Sequence, residues 1–392
     1  MLLALLACAE SETPPEAAVS APERPDGVLR VATYNVSLYR DGPGELVEDL
    51  EGEDDPQLRA VSAVVATVSP DILVLNEVDW DEGGEAVRLL AERLGYPHRL
   101  SLRSNTGVPS GRDFDHDGRS DHEPGDRDYG GDAFGYGVHE GQYGMAVLSR
   151  LPIEENAVRT YRETVWADMP GNVLPTSWYD EGDREVFRLS SKTHALIPIK
   201  TSAGPLTLVL AHPTPPGFDG PEDRNGARNH DEVRMLLDLI DPARGGWLRD
   251  DEGRPGGLAP GAMFVVAGDL NADPSAPDPY GENGGIRALL ASPLLQDPAP
   301  RSAGGAAAAA RQGGANDGQS SDPALDTADF SDGEVGNLRA DYVLPSATLD
   351  VQDAGVFWPA EGEEGYALVG PGYPVVSSDH RLVWADLRLP ED

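Results

Sequence analysis

Short apolar runs in this chain repeatedly begin or end on a residue able to do chemistry. Asn35 follows Val31–Tyr34, Glu77 follows Leu73–Asn76, and His212 follows Leu208–Ala211. Asp269 and Asn271 follow Val265–Gly268, Asp341 precedes Tyr342–Leu344, and Ser378, Asp379 and His380 stand just before Leu382–Leu387. Carboxylates and amides at strand ends can hold a cation or a polar substrate, and imidazoles beside them can move protons. Taken singly, each is ordinary. Asn35 suits a turn, His212 a hydrogen-bonded core position, and Gly268-Asp269-Leu270-Asn271 a plain loop entry. It is their recurrence at strand ends that suggests one site.

The elements that must position them are legible from periodicity. Leu29–Tyr34, Ile72–Leu75, Met145–Leu148, Leu206–Ala211, Phe264–Ala267, Tyr342–Leu344 and Leu382–Leu387 are expected as buried strands, being β-branched-rich or bounded by turn residues. Helical spacing occurs at 57–68, 83–94 and 229–240. In the last, Val233, Leu236, Leu237 and Ile240 share a face, with Asn229 or Asp231 as cap. Strands mixed with helices imply an α/β fold. The stretches 103–141, 162–190, 213–228 and 271–338 are too long for simple connections. Residues 301–336 are low in complexity and are expected to be mobile.

In order along the chain, ATYNV, LVLNEVD, YGMAVLSRLPI, LVLAHP, VAGDLNADP, RADYVLPS and SSDHRLVWADL resemble the endonuclease/exonuclease/phosphatase superfamily, whose fold is like pancreatic deoxyribonuclease. The resemblance runs from residue 29 to 389. It implies a four-layer α-β-β-α sandwich, two mixed β-sheets flanked by helices with long loop insertions, as one domain over 29–392. It also implies roles. Asn35 and Glu77 would offer hard oxygen ligands to Mg²⁺ or Mn²⁺, with Asp379 sharing that metal directly or through water. His380 would be general base, held by Asp341. Asp269 and Asn271 would orient the nucleophile, and His212 would donate to a phosphoryl oxygen or the leaving group. Some DNA-repair members carry a second acid two residues after the strand-end Asn; Ser37 stands there, so no metal role is expected of it. The basic residue of one strand contacts phosphate in the deoxyribonuclease-like fold, which makes Lys192, on an expected strand 192–199, a candidate.

Other segments resemble less. Arg224, Arg228 and His230 lead into a helix and read either as a phosphate site or as a solvated loop with a cap. Asp113, Asp115 and Asp117, followed by Gly118 and Asp121, match the first half of a calcium loop, with Glu123 or Asp126 as stand-in for the missing twelfth-position acid. The other reading is an acidic surface loop.

Composition narrows the function. With 68 acidic against 30 basic residues the formal charge is −38, which repels phosphate backbones at long range and favours small substrates. Lysines occur only at 192 and 200. The single cysteine, Cys8, excludes an intrachain disulfide and closes the apolar run Met1–Ala7 in the manner of a lipoprotein cleavage site. Residues 1–8 are therefore expected to be a signal remnant and 9–28 a disordered tether. The chain is expected to be exported, held at a membrane only by a lipid on Cys8, and monomeric. The expected activity is metal-dependent hydrolysis of phosphomonoesters or phosphodiesters, small organic phosphates first. The alternatives are an extracellular DNA nuclease, with nucleic acid as substrate only, and a non-catalytic binding module on the same fold.

Overall fold

A computed structural model describes residues 24–52, 55–281, 284–370 and 375–390. The proposed signal remnant and most of the tether lie outside the described residues. Of the tether's last residues, Arg24 pairs with Asp71, and Val28 already begins a strand.

In chain order the strands are β1 (Val28–Leu38), β2 (Ile72–Val78), β3 (His98–Leu102), β4 (Met145–Ser149), β5 (Arg159–Thr160), β6 (Ala195–Thr201), β7 (Gly204–Leu210), β8 (Met263–Asp269), β9 (Ala328–Asp329), β10 (Asn337–Leu338), β11 (Asp341–Pro345), β12 (Asp350–Val356) and β13 (Val383–Arg388). Six form one sheet, ordered β12-β13-β1-β2-β4-β3, and five a second, ordered β11-β8-β7-β6-β5. Each is mixed, because β1 runs parallel to β2 and β7 parallel to β8 while their other neighbours are antiparallel.

Alternation along the second sheet divides the core. Ile197, Leu208, Val265, Ala267 and Val343 join the first sheet in one apolar cluster, whereas Leu196, Val209, Phe264, Val266 and Tyr342 face a second cluster. That second cluster holds Val233, Leu236 and Leu237 of the helix Arg224–Ile240. On the first sheet, Ile72, Leu73, Val74 and Leu75 are all fully buried, as a strand covered on both faces requires. The helix Pro56–Val68 packs there. Its start is set by the Asp55 carboxylate, which accepts from Leu58 N, and by Pro56 in the first turn.

Three expectations change. The helix expected at 229–240 begins at Arg224, so Asn229 and Asp231 lie inside it rather than capping it. Their side chains fasten the long insertions. Asn229 Nδ2 donates to the Thr214 and Leu270 carbonyls, and Asp231 accepts from Trp166 Nε1 and Val173 N. The strand expected from Lys192 starts only at Ala195. The segment 301–336 is built: Ser302 caps a helix Ala303–Gln312, and β9 pairs with β10 just beyond the segment. Gly304 there has a packing reason, since a Cβ at it would strike the Trp358 carbonyl.

Candidate active site

The chain directions explain why distant motifs meet. β1 and β2 are parallel, as are β7 and β8, so their carboxyl ends coincide within each sheet. β11 and β13 run antiparallel to β8 and β1, so they begin where those strands end. Asp341 pairs in register with Asp269. β1 packs across onto β8 and β11, which brings the two sheet ends together.

One link across the sheets is Asn35, whose Nδ2 donates to Asp269 Oδ2 at 3.0 Å while its Oδ1 accepts from Ser37 N at 3.1 Å. Around the same Asp269 oxygen stand His212 Nε2 at 3.4 Å, Asn271 Nδ2 at 3.3 Å and His380 Nε2 at 3.7 Å. Glu77 Oε1 lies 4.0 Å from His212 Nε2. On its far side, His380 Nδ1 meets Asp341 Oδ2 at 2.8 Å, and that oxygen also accepts from Thr327 Oγ1 at 2.9 Å. Asp379 Oδ1 accepts from Ser37 Oγ at 2.9 Å. Ser37, Glu77 and Asn271 all have φ between 48° and 59°. Non-glycine residues held in the left-handed region at strand ends mark a surrounding structure that overrides local preference.

The electrostatics are those of a site that wants a cation. Burial, with the charges of Asp379 and Asp269, pushes the Glu77 carboxyl up to about 7 despite His380 nearby. Burial also pushes Asp341 up, to about 6. Asp269 is different: burial opposes its charge, but His380, His212 and Asn35 outweigh it and hold the carboxyl low. For His380 burial favours the neutral ring, yet Asp341 and Asp269 prevail and raise it well above 6.5. Burial and the neighbouring Lys192 lower His212 to about 4, so it stands as a neutral imidazole. Ligand atoms of Glu77, His212 and Asp269 lie within 4.8 Å of one another, as do those of Asp269, Asp341 and His380. Crowded carboxylates with a buried neutral imidazole form a donor set that a divalent cation fits.

Of the expected phosphate-binding residues, only Lys192 reaches this place. It is 8% exposed, burial lowers its pKa, and Glu232, Glu77 and Asp269 oppose that change. The preceding loop, not a strand, carries it, so His194 turns away to Ser190 Oγ and the Glu232 carbonyl. Arg228 donates to the Leu189 and Arg188 carbonyls, Arg224 to the Gly131 carbonyl, and His230 contacts Asp278. None of these three is presented to a phosphate beside Glu77. Their spacing could not show that the insertions would claim their donors.

Sequence reasoning missed three residues. Asn76 Oδ1 accepts from Asp269 N, Thr327 holds Asp341, and Glu232 accepts from Ser191 N and Thr214 N. Ser378, which the sequence did mark, donates from Oγ to Asn35 O. Asn76 carried a signal, an amide in a run of fully buried aliphatics. Glu232 and Thr327 lay in segments without one.

A family model described as Endonuclease/Exonuclease/phosphatase family matches residues 32–380. No curated protein matches the chain. Among solved structures, an endonuclease/exonuclease/phosphatase from Beutenbergia cavernae is 21% identical with a TM-score of 0.51, over 92% of this chain and 72% of that one. A 3'-5' exonuclease from Neisseria meningitidis is 16% identical, TM-score 0.43, over 92% and 100%. Sphingomyelinase C from Streptomyces griseocarneus is 17% identical, TM-score 0.45, over 92% and 99%.

Proposed function

The chain belongs to the endonuclease/exonuclease/phosphatase family, and on that premise we propose that it is a divalent-metal-dependent phosphoesterase acting on small organic phosphates by His380-assisted attack of water. One observation carries the reading: His380 is held between Asp341 and Asp269 at the sheet junction that also gathers Glu77, His212 and Lys192.

Glu77 would be the principal ligand for Mg²⁺ or Mn²⁺, with Asn35 and Asp379 beside it; a bound cation would polarise a phosphoryl oxygen and offset charge developing in the transition state. His380 Nε2 takes the proton from the attacking water. Asp341 keeps the other ring proton on Nδ1 and stabilises the imidazolium that forms. Asp269 and Asn271 orient the water, and Lys192 offers a charged donor to phosphate. His212, neutral and with its Nε2 toward Asp269, can donate to a phosphoryl or leaving-group oxygen. A cation held beside Asp269 would oppose the carboxylates that raise His380 and favour its neutral, proton-accepting ring.

The preference for small substrates rests on the charge of −38 and on Arg224 and Arg228 being committed to backbone carbonyls. Duplex DNA needs basic groups free to track its phosphates. The test is a panel of nitrophenyl phosphate, bis-nitrophenyl phosphate, nucleotides, plasmid DNA and sphingomyelin, with Mg²⁺ or Mn²⁺ and an EDTA control. Turnover of small esters, abolished by EDTA, is expected. Preferential cleavage of plasmid would make it a nuclease, and no turnover despite metal binding would make it a binding module. We also propose that the protein is monomeric and exported, with a lipid on Cys8. Retention of Cys8→Ala in the membrane fraction would refute the anchor.

A further inference from the structure

We propose that the insertion 103–141 contains a zinc site, separate from the catalytic centre, in which His122, Asp117 and Asp128 are the protein ligands and Asp132 holds a water bound to the ion. Ligand atoms of Asp117, His122 and Asp128 lie within 4.8 Å of one another. Asp117 comes from the turn before Gly118, His122 from the stretch that follows it, and Asp128 from the start of the short helix Arg127–Gly131. Acids on a surface loop commonly gather without an ion, so the weight falls on the imidazole and on Asp132.

The His122 side chain is 4% exposed, and its Nε2 is buried without a hydrogen bond. Asp117 Oδ2 stands 3.0 Å from that nitrogen, near enough for a hydrogen bond but without the direction for one. Ligands of a shared ion sit this way: about 2.0–2.1 Å from a tetrahedral metal, two of them stand roughly 3.3 Å apart without bonding each other. Asp132 is a second, independent sign. Its Oδ1 accepts from Phe114 N at 2.7 Å, while Oδ2, buried and also without a hydrogen bond, stands 4.0 Å from His122 Nε2. That separation suits a water between the carboxylate and the ion. There is room for it, because a cavity of about 60 Å³ is lined by His122, Asp132, Ser110, Ser120 and Tyr129. A buried nitrogen and a buried oxygen left unpaired beside a polar cavity are costly unless something joins them. An imidazole among carboxylates suits Zn²⁺, whereas Ca²⁺ takes oxygen ligands alone.

The acids of the expected calcium motif gather too, but their hydrogen bonds are those of a self-contained turn. Asp113 Oδ2 accepts from Gly118 N, Asp115 Oδ1 from Asp117 N and Asp117 Oδ1 from Arg119 N. Asp121 pairs with Arg119, and Glu123 and Asp126 are exposed. It is the other oxygen of Asp117 that turns to His122. An ion held there ties this turn to the helix Arg127–Gly131, whose last carbonyl accepts from Arg224 at the start of the long helix Arg224–Ile240. It fixes the insertion to the body of the fold without touching the catalytic groups.

The test uses metal-stripped, full-length Glu77→Gln protein in excess MgCl₂, so that the catalytic donors are weakened and occupied. Calorimetric titration with ZnCl₂ should show one site, with a raised melting temperature by mass action. Adding His122→Gln should weaken Zn²⁺ by more than about 100-fold and remove the rise in melting temperature, and Asp132→Asn, which keeps the acceptor for Phe114 N, should weaken it by about 10-fold, as loss of an outer partner does. Asp121→Asn should leave binding unchanged. If His122→Gln fails to fold by circular dichroism, Asp128→Asn, on the exposed side of the site, reads the same loss. The proposal is overturned if the parent takes up no Zn²⁺, or if the His122 and Asp128 variants bind it as well as their parent. A metal-free His122→Gln protein that melts lower than its parent while Zn²⁺ shifts neither would make the cluster an ion pair only. Calcium bound more tightly than zinc, and indifferent to His122→Gln, would overturn the choice of metal. Since every readout is binding or melting, none of these outcomes depends on the proposed hydrolysis.

Discussion

Asp341→Asn separates charge from orientation in the general base. Asp341 is fully buried, and one of its oxygens, Oδ2, meets both His380 Nδ1 at 2.8 Å and the Thr327 hydroxyl at 2.9 Å. The Thr327 hydroxyl already accepts from Ala340 N and Asp341 N, each at 2.9 Å, so its proton must point at position 341. An Asn there is thus forced to turn its oxygen, not its NH₂, toward His380. The correct tautomer survives and only the charge is lost. A charged acceptor adds about 1–2 kcal/mol over a neutral one, so kcat/KM should fall roughly 5- to 30-fold at 1.36 kcal/mol per decade. Thr327→Val in the same chain frees the amide to flip and present a donor. The ring then carries its proton on the wrong nitrogen, an error that costs about 10⁴-fold in serine proteases. Because Asp341 helps raise His380, Asp341→Asn should also move the ascending limb of the pH–rate profile to lower pH. The assay is kcat/KM for a nitrophenyl phosphate at saturating Mg²⁺ between pH 5 and 9. A 10⁴-fold loss in Asp341→Asn alone would refute the restraint by Thr327. A limb that stays in place would refute the coupling.

His380→Ala should lower kcat/KM by about 10²–10⁴-fold, with calorimetric metal binding retained; more than a tenth of wild-type activity would shift the base to His212. Glu77→Gln should lose activity by orders of magnitude, and excess Mn²⁺ titrated into the assay should recover little. Lys192→Met should cost roughly 10- to 150-fold in kcat/KM, the worth of one charged hydrogen bond at about 1.5–3 kcal/mol, with little change in melting temperature. Asp326 is fully buried, neither of its oxygens has a partner, and burial followed by the charges of Asp273 and Asp322 raises it to about 7. A carboxyl raised in the folded state contributes stability below its ordinary value of 3.8 and loses it as pH climbs to about 7. Asp326→Asn should therefore melt higher than wild type at pH 8, with the gap closing toward pH 4, as thermal scans at the two pH values would show.

What the sequence by itself determined was the set of strand-end residues and the strands behind them. Asn35, Glu77, His212, Asp269, Asn271, Asp341 and His380 were readable because strands buried on both faces leave continuous apolar runs, and a polar residue closing such a run stands out. Their convergence followed from the family's motif order. Local periodicity could not reveal which donors would be spent elsewhere. Arg224, Arg228 and His230 have the spacing of an anion site, but the insertions 103–141, 162–190 and 271–338 bring carbonyls and Asp278 against them. Segment 301–336 reads as mobile because its alanines and glycines carry no apolar period, although the Trp358 carbonyl leaves no room for a larger residue at Gly304. The same segment delivers Thr327 to Asp341, and Asp132 reaches the acidic loop from beyond any twelve-residue motif. In each case the deciding contact joins residues far apart in sequence. A hydrogen-bonding group cannot announce its partner until packing has brought the two together, and only the tertiary structure does that.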